Sequence, residues 1–400
     1  MNTRYILFFI LGIDALILMF QSSELSISYN EAILLFGDFS FLQAIAKTSI
    51  YFLGQNDLAL RLPMIILHLL SATLLYKISI KYLKKSTSRV WITLIFILLP
   101  GVISSALIVN SAGLVIFGLF LFVYLYENYS IKYIYPLLAL YSLVSGGFVC
   151  LFIALIFFSL YMKNRLFFIY NLSLFVLSTY LYGIDLHGSP RGYFLDLLGV
   201  YAAIFTPIIF VYIFYVLYRK YLTKDIAILW FISSVALIVS LLLSFRQRLD
   251  VELFAPYLIL ALPLVAQTFE HSYRVRLKIF RKNYKFIFFL ALVFLLVNSS
   301  VVFFNKYIYS VIDNPKKHFA YNMHVAKELA KELKKRDINC VDTAKKMSLR
   351  LEFYGVTKCN EYNLEENSLN SKNRSDVTIR YKNRVVYLAN VTKLNKEQSN

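Results

Sequence analysis

Long apolar runs separated by short basic clusters make up the chain from Met1 to about Phe304, and a polar stretch follows. A bilayer core of about 30 Å requires about 20 apolar residues per helix. Runs of this kind predict about eleven membrane-spanning helices, over residues 5–20, 62–80, 90–109, 112–126, 133–145, 147–162, 166–184, 197–218, 226–245, 253–269 and 286–304. The two short runs that meet at Ser145 are either two spans, one long tilted helix or a re-entrant hairpin.

The same pattern predicts two domains. Residues 1–304 form an all-α polytopic membrane domain, and its first outer loop, 21–57, has the apolar content of helices that lie at a bilayer interface. Residues 305–400 form a small soluble α/β domain. Periodicity within that domain predicts helices over 318–336 and 347–354, strands over 338–341, 377–381 and 385–391, and a polar loop over 363–375.

Composition and charge agree with a membrane protein and add its orientation. Hydrophobic residues make up 59% of the 400 residues, more than a water-soluble fold can bury, and the net charge is +19. Most basic residues of the membrane domain fall in alternate loops, whereas the other loops hold Lys47, Arg61, Arg191, Arg246 and Arg248. The positive-inside rule therefore predicts a cytoplasmic N-terminus and an extracytoplasmic C-terminal domain. Frequent Lys, Asn, Ile, Phe and Tyr favour a bacterium with an AT-rich genome, so we expect the membrane to be a bacterial inner membrane. The charge needs no nucleic-acid partner.

The first apolar run and the cysteines refine this picture. The run lacks a small-residue cleavage site and carries Asp14, so we expect a retained helix rather than a signal peptide.

Cys150 lies within a predicted span. Cys340 and Cys359 both fall in the exported domain, where they form either a disulfide or two free thiols.

The first outer loop and the residues after it resemble a known family. Tyr29-Asn30-Glu31-Ala32, followed by Gly54 and Arg61-Leu62-Pro63, resembles the signature of GT-C-type membrane glycosyltransferases of the protein O-mannosyltransferase and lipid A aminoarabinose transferase group. The likeness continues in order along the chain, in Leu99-Pro100, Tyr141 to Gly147, Ser244 to Arg248, Pro256 to Pro263, and Leu351-Glu352-Phe353-Tyr354-Gly355.

The resemblance implies an enzyme that moves a sugar from a polyprenyl-phosphate donor to a lipid or protein glycan acceptor at the outer face of the membrane. Such a transfer requires a base for the acceptor's proton and cations for the leaving phosphate. Glu31 is the predicted base, with Glu24 and Asp38 as substitutes. Arg246 and Arg248, together with Arg61, are predicted to bind the donor phosphate. No cofactor is certain, although a divalent metal is possible.

Each assignment has a plainer alternative. Glu31 is otherwise a solvated loop acid or a helix cap, and the arginines are otherwise ordinary interfacial residues. The chain also departs from the family pattern at Asn30, Asn110, Ser145 and Glu252. The alternative function is a non-catalytic scaffold, or a transporter or flippase for lipid-linked glycans. Transporters often contain internal repeats, and the sequence shows no convincing duplication, which favours the enzyme.

Overall fold

A computed structural model describes residues 3–183, 192–367, 376–382 and 384–393. Its contacts divide the chain into two compact units. The helical unit comprises Met1–Leu18 and Met64–Ser299, and the sheet unit comprises Met19–Pro63 and Ser300–Asn400. The predicted domain boundary near 305 thus lies close to one edge of the sheet unit, whereas the first outer loop groups with the C-terminal residues.

The described residues are predominantly helical. In chain order the α-helices are α1 Thr3–Glu24, α2 Tyr29–Phe36, α3 Phe41–Leu53, α4 Asp57–Tyr82, α5 Ser86–Leu98, α6 Pro100–Leu107, α7 Ser111–Asn128, α8 Ile134–Val144, α9 Val149–Tyr161, α10 Arg165–Tyr182, α11 Phe194–Phe205, α12 Pro207–Leu222, α13 Ile228–Ser244, α14 Ala255–Ile259, α15 Leu262–Val275, α16 Lys278–Phe303, α17 Asn305–Ile308, α18 Ala326–Lys334 and α19 Lys345–Phe353. The strands are β1 Tyr362–Glu366, β2 Val377–Tyr381 and β3 Arg384–Lys393.

The helices support an integral membrane protein, but they do not confirm eleven spans. Among the described residues, α1, α4, α7, α10 and α16 are long and apolar enough to cross a bilayer alone. Three bent pairs, α2 with α3, α5 with α6, and α11 with α12, raise this number to as many as eight if each pair is one span. Further shorter apolar helices cover 131–144, 146–161 and 228–244.

Proline marks two of the bends. α5 and α6 meet at 62° where Leu99 precedes Pro100, and α11 and α12 meet at 106° where Thr206 precedes Pro207. Proline lacks a backbone N–H and disfavours helical geometry in the preceding residue, so each helix ends there. The run around Ser145 divides into α8 and α9, and the Ser145 hydroxyl accepts a hydrogen bond from the Gly147 N–H at 3.1 Å.

Apolar side chains form the interior of the helical unit, and a few polar ones join its helices. A continuous buried cluster runs from Leu7 to Leu295. Within it, Asp14 of α1 contacts His68 of α4, with 2.8 Å between Oδ2 and Nε2. His68 also stacks on Phe96 of α5. Intramembrane polar groups of this kind are costly unless they pair, so this contact fixes α1 against α4.

The sheet unit contains a three-stranded antiparallel sheet in the order β1-β3-β2. Its core includes Leu329, Leu351, Val377 and Val386. β2 and β3 match the strands predicted over 377–381 and 385–391. Cys340 and Cys359 form a disulfide, which decides between the two thiol alternatives.

Three local predictions for this unit were wrong. The helix predicted over 318–336 is confined to α18, because His318 and His324 are buried in the core and the chain turns around them. Residues 338–341 make one isolated bridge, between Cys340 and Thr357, rather than a strand. The predicted polar loop begins with β1, since Leu364 is buried and its neighbours pair with β3.

Candidate functional site

Two short helices, α2 and α3, occupy the predicted first outer loop. α2 begins with a reciprocal cap: the Glu31 N–H donates to Ser28 Oγ at 3.2 Å, and the Ser28 N–H donates to Glu31 Oε2 at 2.9 Å. This capping box satisfies two N–H groups at the helix start. Glu31 therefore caps a helix, as the plainer interpretation of its position allows.

The Arg61 side chain, near the start of α4, is buried and fully hydrogen-bonded. Its Nε donates to Glu31 Oε1 at 3.0 Å, and Nη2 donates to Glu31 Oε2 at 2.9 Å. The remaining donors reach three backbone carbonyls, those of Ser22 at 2.9 Å, Leu25 at 2.7 Å and Ser26 at 2.9 Å. A guanidinium has five N–H donors, and here all five are used.

The Glu31–Arg61 pair has consequences for both predicted roles. Both side chains are completely buried. A buried, bidentate ion pair is stable only while both partners remain in place. An acceptor hydroxyl or a lipid phosphate could therefore engage Glu31 or Arg61 only after the pair opened. Two residues predicted for separate steps of one reaction instead contact each other.

A second buried acid, Asp57, lies at the start of α4. Asp57 Oδ1 accepts a hydrogen bond from the Tyr354 hydroxyl at 2.6 Å, and Asp57 Oδ2 pairs with Lys327 Nζ at 2.8 Å. The Tyr354 hydroxyl also accepts the Ile27 N–H at 2.8 Å. Burial, reinforced by the Asp57 charge, raises the pKa of Tyr354, which keeps its hydroxyl protonated as the donor.

Arg350 of α19 extends this network. Its Nε donates to the Ile27 carbonyl at 2.9 Å, and its Nη2 donates to the His324 carbonyl at 2.6 Å. The side chain is almost fully buried, and burial lowers its pKa, although an arginine remains protonated. Arg350 and Tyr354 thus tie residues of the C-terminal domain to the segment that precedes α2.

Two histidines sit beside this network in the core of the sheet unit. His318 Nδ1 accepts the Ala320 N–H at 3.0 Å, so its proton is on Nε2, which donates to the Asn305 carbonyl at 2.9 Å. The Tyr309 hydroxyl contacts His324 Nδ1 at 2.8 Å. Burial, followed by electrostatic repulsion from His318, Lys306 and Arg350, lowers the pKa of His324 to about 3. Both imidazoles are neutral at pH 7.

The other predicted acids lie at the surface of the sheet unit. Glu24 is exposed and pairs with Lys306 at 2.6 Å. Asp38 is exposed in the turn between α2 and α3, and Phe39 beside it is 84% exposed. Asp38 is therefore the carboxylate of the three that an incoming substrate could reach without displacing a described partner.

Arg246 and Arg248 belong to the helical unit, just after the end of α13. Both side chains are exposed. The backbone N–H of Arg246 donates to the Leu243 carbonyl at 3.0 Å, which continues the last turn of the helix. Exposed guanidinium groups at a helix end can contact a phosphate at headgroup depth.

Two family-like motifs of the helical unit contact each other. The Tyr257 hydroxyl donates to the Gly147 carbonyl at 2.6 Å and accepts the Leu151 N–H at 3.1 Å. Ser233 Oγ donates to the Tyr257 carbonyl at 2.9 Å. The residue at the second family turn, Asn110, caps α7 by accepting the Gly113 N–H at 3.2 Å.

The described residues contain no group of three or more histidine, cysteine, aspartate or glutamate side chains placed to hold a metal. Arg191 of the predicted outer loops lies outside the described residues. The divalent metal that the sequence analysis allows stays a prediction.

Comparison with known proteins identifies a related fold. The crystal structure of ArnT from Cupriavidus metallidurans in the apo state aligns over 90% of this chain and 93% of that chain, with a TM-score of 0.53 and 11% sequence identity. The two chains share a fold. No protein-family model matches the sequence, and no curated protein matches it. The chain therefore has an ArnT-like fold, as the resemblance of its motifs implies.

Sequence reasoning missed the residues that build the network of the sheet unit. The sequence patterns assign no role to Asp57, Lys327, Arg350 or Tyr354. One signal was available, because Tyr354 belongs to the Leu351 to Gly355 segment that resembles a phrase of the family. Its partner, Asp57, lies almost 300 positions earlier, and no local pattern joins the two.

Proposed function

We propose that this protein is a membrane glycosyltransferase that moves a sugar from a polyprenyl-phosphate donor to a lipid or protein glycan acceptor at the outer face of a bacterial inner membrane. The observation that carries the proposal is the ArnT-like fold over nine-tenths of the chain. Fold alone does not specify chemistry, so the roles below are assigned from the positions of the side chains.

The location of the proposed reaction is supported by two features. The disulfide between Cys340 and Cys359 is typical of an oxidising, extracytoplasmic compartment. The first outer loop exposes large apolar side chains, among them Phe39, Tyr51 and Phe52, at 84%, 83% and 76% exposure. Such side chains favour insertion into the interfacial region of a bilayer, where a lipid-linked sugar would present its headgroup.

In this mechanism Asp38 is the base, and Glu24 is the second choice. The Asp38 carboxylate accepts the proton of an acceptor hydroxyl while that oxygen attacks the anomeric carbon. The bond between the anomeric carbon and the donor phosphate breaks, and the phosphate leaves with the bonding electrons. Arg246 and Arg248 stabilise the charge that develops on the phosphate. Glu31 and Arg61 hold the loop in shape rather than contacting substrate.

The proposal is tested with purified protein in nanodiscs, a panel of labelled polyprenyl-phosphate sugars and a lipid acceptor extract. We expect turnover with at least one donor. Asp38→Asn should lower kcat by roughly 100-fold or more, which is the usual contribution of a general base. Arg248→Gln should lower kcat and kcat/KM, because it removes a charge that stabilises the departing phosphate in the transition state.

Asp313→Asn is a matched control, because Asp313 is an exposed acid of the sheet unit outside the first outer loop. It should retain wild-type turnover. If the wild type turns over no donor of the panel, the enzyme proposal is refuted. If Asp38→Asn retains full activity, Asp38 is not the base, and the Glu24→Gln variant then tests the second choice.

A non-catalytic scaffold is the second candidate function. It is favoured by the position of Glu31, the acid of the family-like motif in the first outer loop. Both carboxylate oxygens of Glu31 accept hydrogen bonds from Arg61. A scaffold would bind a lipid-linked glycan, or a protein partner, without turnover. Binding of labelled donors by a chain that transfers none of them would support it.

A further inference from the structure

The helical unit contains a cavity of about 840 Å³ that no step of the proposed transfer uses. It lies between α5, α12, α15 and α16, and its walls are chiefly aliphatic and aromatic. Its volume is within the range of roughly 300 to 1,000 Å³ that is usual for small-molecule sites. A cavity of this size and composition is suited to an apolar ligand.

The four helices give the cavity one polar end and one apolar end. Ser88, Tyr215, Glu270 and Tyr284 line one end, one from each helix. On α16 the lining continues to Leu295, eleven residues beyond Tyr284, which is about 16 Å along the helix. The lining of α5 and α15 runs from polar to apolar in the same way. The cavity is therefore shaped for an amphiphile.

The polar end carries a carboxylate that could bind a cation. Glu270 Oε1 accepts a hydrogen bond from Ser88 Oγ at 3.0 Å. Within the described part of the chain, no lysine, arginine or histidine lies within ion-pair distance of Glu270. Glu270 is half-buried at one end of an apolar cavity, so a ligand ammonium group there would complement its charge.

Two arginines contact residues that line the same end. Arg219 Nη1 donates to Ser272 Oγ at 2.9 Å and approaches the Tyr215 hydroxyl at 3.4 Å. The Arg276 guanidinium stacks 4.3 Å from the centre of the Tyr284 ring. Planar guanidinium groups that are already oriented by such contacts are well suited to bind phosphate. The polar end thus has one anionic side chain, Glu270, in its lining and two arginines that contact its lining tyrosines.

We infer that this cavity binds an aminophospholipid of the surrounding bilayer, with its ammonium group on Glu270, its phosphate on Arg219 and Arg276, and an acyl chain along the apolar wall. The site is separate from the proposed phosphate contacts at Arg246 and Arg248. Those residues follow α13, whereas Arg219 precedes it, and a helix of 17 residues spans about 25 Å.

The test uses the purified full-length protein in nanodiscs and a phosphatidylethanolamine probe that carries a photo-crosslinking group on one acyl chain. Crosslinked residues are mapped by mass spectrometry. We expect crosslinks on α5, α15 and α16 around the cavity. Unlabelled phosphatidylethanolamine should compete at least tenfold better than phosphatidylglycerol, which has the phosphate but no ammonium group.

Substitutions assign the head-group contacts. Glu270→Gln should remove most of the preference for phosphatidylethanolamine over phosphatidylglycerol, and Arg276→Gln should weaken binding of both lipids roughly tenfold, as expected for one charged hydrogen bond. Lys282→Gln, which removes a basic residue of α16 that does not line the cavity, should match the wild type. Elution as a monodisperse species establishes that each variant is folded.

Three results would overturn the inference. Equal competition by the two phospholipids would eliminate the ammonium contact. Competition by a polyprenyl phosphate as effective as that by phosphatidylethanolamine would mean that the cavity holds the donor tail instead. Wild-type labelling of both Glu270→Gln and Arg276→Gln would exclude this end of the cavity as the head-group site.

Discussion

The buried pair of Glu31 and Arg61 makes a strong prediction about stability. Glu31→Gln keeps the shape of the side chain and removes its charge, which leaves the Arg61 guanidinium buried without an anion. Breaking a buried ion pair by removing one partner costs about 3 to 5 kcal/mol. Both residues are fully buried and joined by two charged hydrogen bonds, so we expect a value within that range.

Thermal unfolding in detergent measures this loss. For a cooperative unit of roughly 150 residues, 1 kcal/mol corresponds to about 2 to 4 °C, so the melting temperature should fall by roughly 6 to 20 °C. Hydrogen exchange should locate the effect in α2 and in the segment before it, because Arg61 also binds the carbonyls of Ser22, Leu25 and Ser26.

Glu24→Gln is the matched control for this experiment. It makes the same chemical change in an exposed pair with Lys306, and exposed pairs contribute at most about 1 kcal/mol. A Glu31→Gln variant that melts within about 2 °C of the Glu24→Gln variant would refute the reasoning. The double variant Glu31→Gln, Arg61→Met should recover part of the loss, since it leaves no unpaired buried charge.

Three further predictions concern the sheet unit. Tyr354→Phe removes the hydroxyl that links Asp57 to the rest of the unit, and it should lower the free energy of unfolding by about 1 to 3 kcal/mol, measured by thermal melting. Cys340→Ser should destabilise the unit by about 3 kcal/mol, and reducing the Cys340–Cys359 disulfide of the wild type should have a similar effect. Because the pKa of His324 is lowered to about 3, the unfolded chain binds a proton below pH 6.5 that the folded chain does not bind. Stability should therefore fall on acidification from pH 6.5 to pH 5, by up to about 1.4 kcal/mol per pH unit, in a melting series.

Each of these three has a result that contradicts it. Tyr307→Phe alters an exposed tyrosine and should leave the melting temperature unchanged. If Tyr354→Phe also leaves the melting temperature unchanged, the Tyr354 hydroxyl does not stabilise the unit. A melting temperature insensitive to reductant would mean that the disulfide contributes no stability. His324→Asn should flatten the pH dependence between pH 6.5 and 5, and an unchanged slope would show that other groups cause it.

The helical architecture was largely predictable, because each membrane helix requires a long contiguous run of apolar residues. Within the described residues, each predicted apolar run from Tyr5 to Phe304 corresponds to one or two α-helices, since every backbone polar group in a bilayer must be satisfied within the segment. The number of spans was not predictable in this way. Pro100 and Pro207 bend apolar stretches, and a bent pair can be one span, two spans or a re-entrant loop.

The candidate site was much less predictable. The motif around Glu31 predicts a site in the first outer loop, but the same pattern fits a catalytic acid and a helix cap. Only neighbours distant in sequence distinguish the two, and Arg61 is thirty positions away. The helix predicted over 318–336 has a regular apolar periodicity, but its first residues are not helical. There His318 stacks on Tyr309, a contact that periodicity does not reveal.

The sequence by itself determined that this chain is an integral membrane protein and where its apolar segments begin and end. Both follow from the length of apolar runs and from charge bias, which are properties of contiguous residues. The tertiary structure decided which side chains are partners. It paired Glu31 with Arg61, joined Tyr354 to Asp57 and left Asp38 exposed. These outcomes depend on burial and on long-range contacts, which set whether a carboxylate is neutralised or accessible, and neither is encoded in a local pattern.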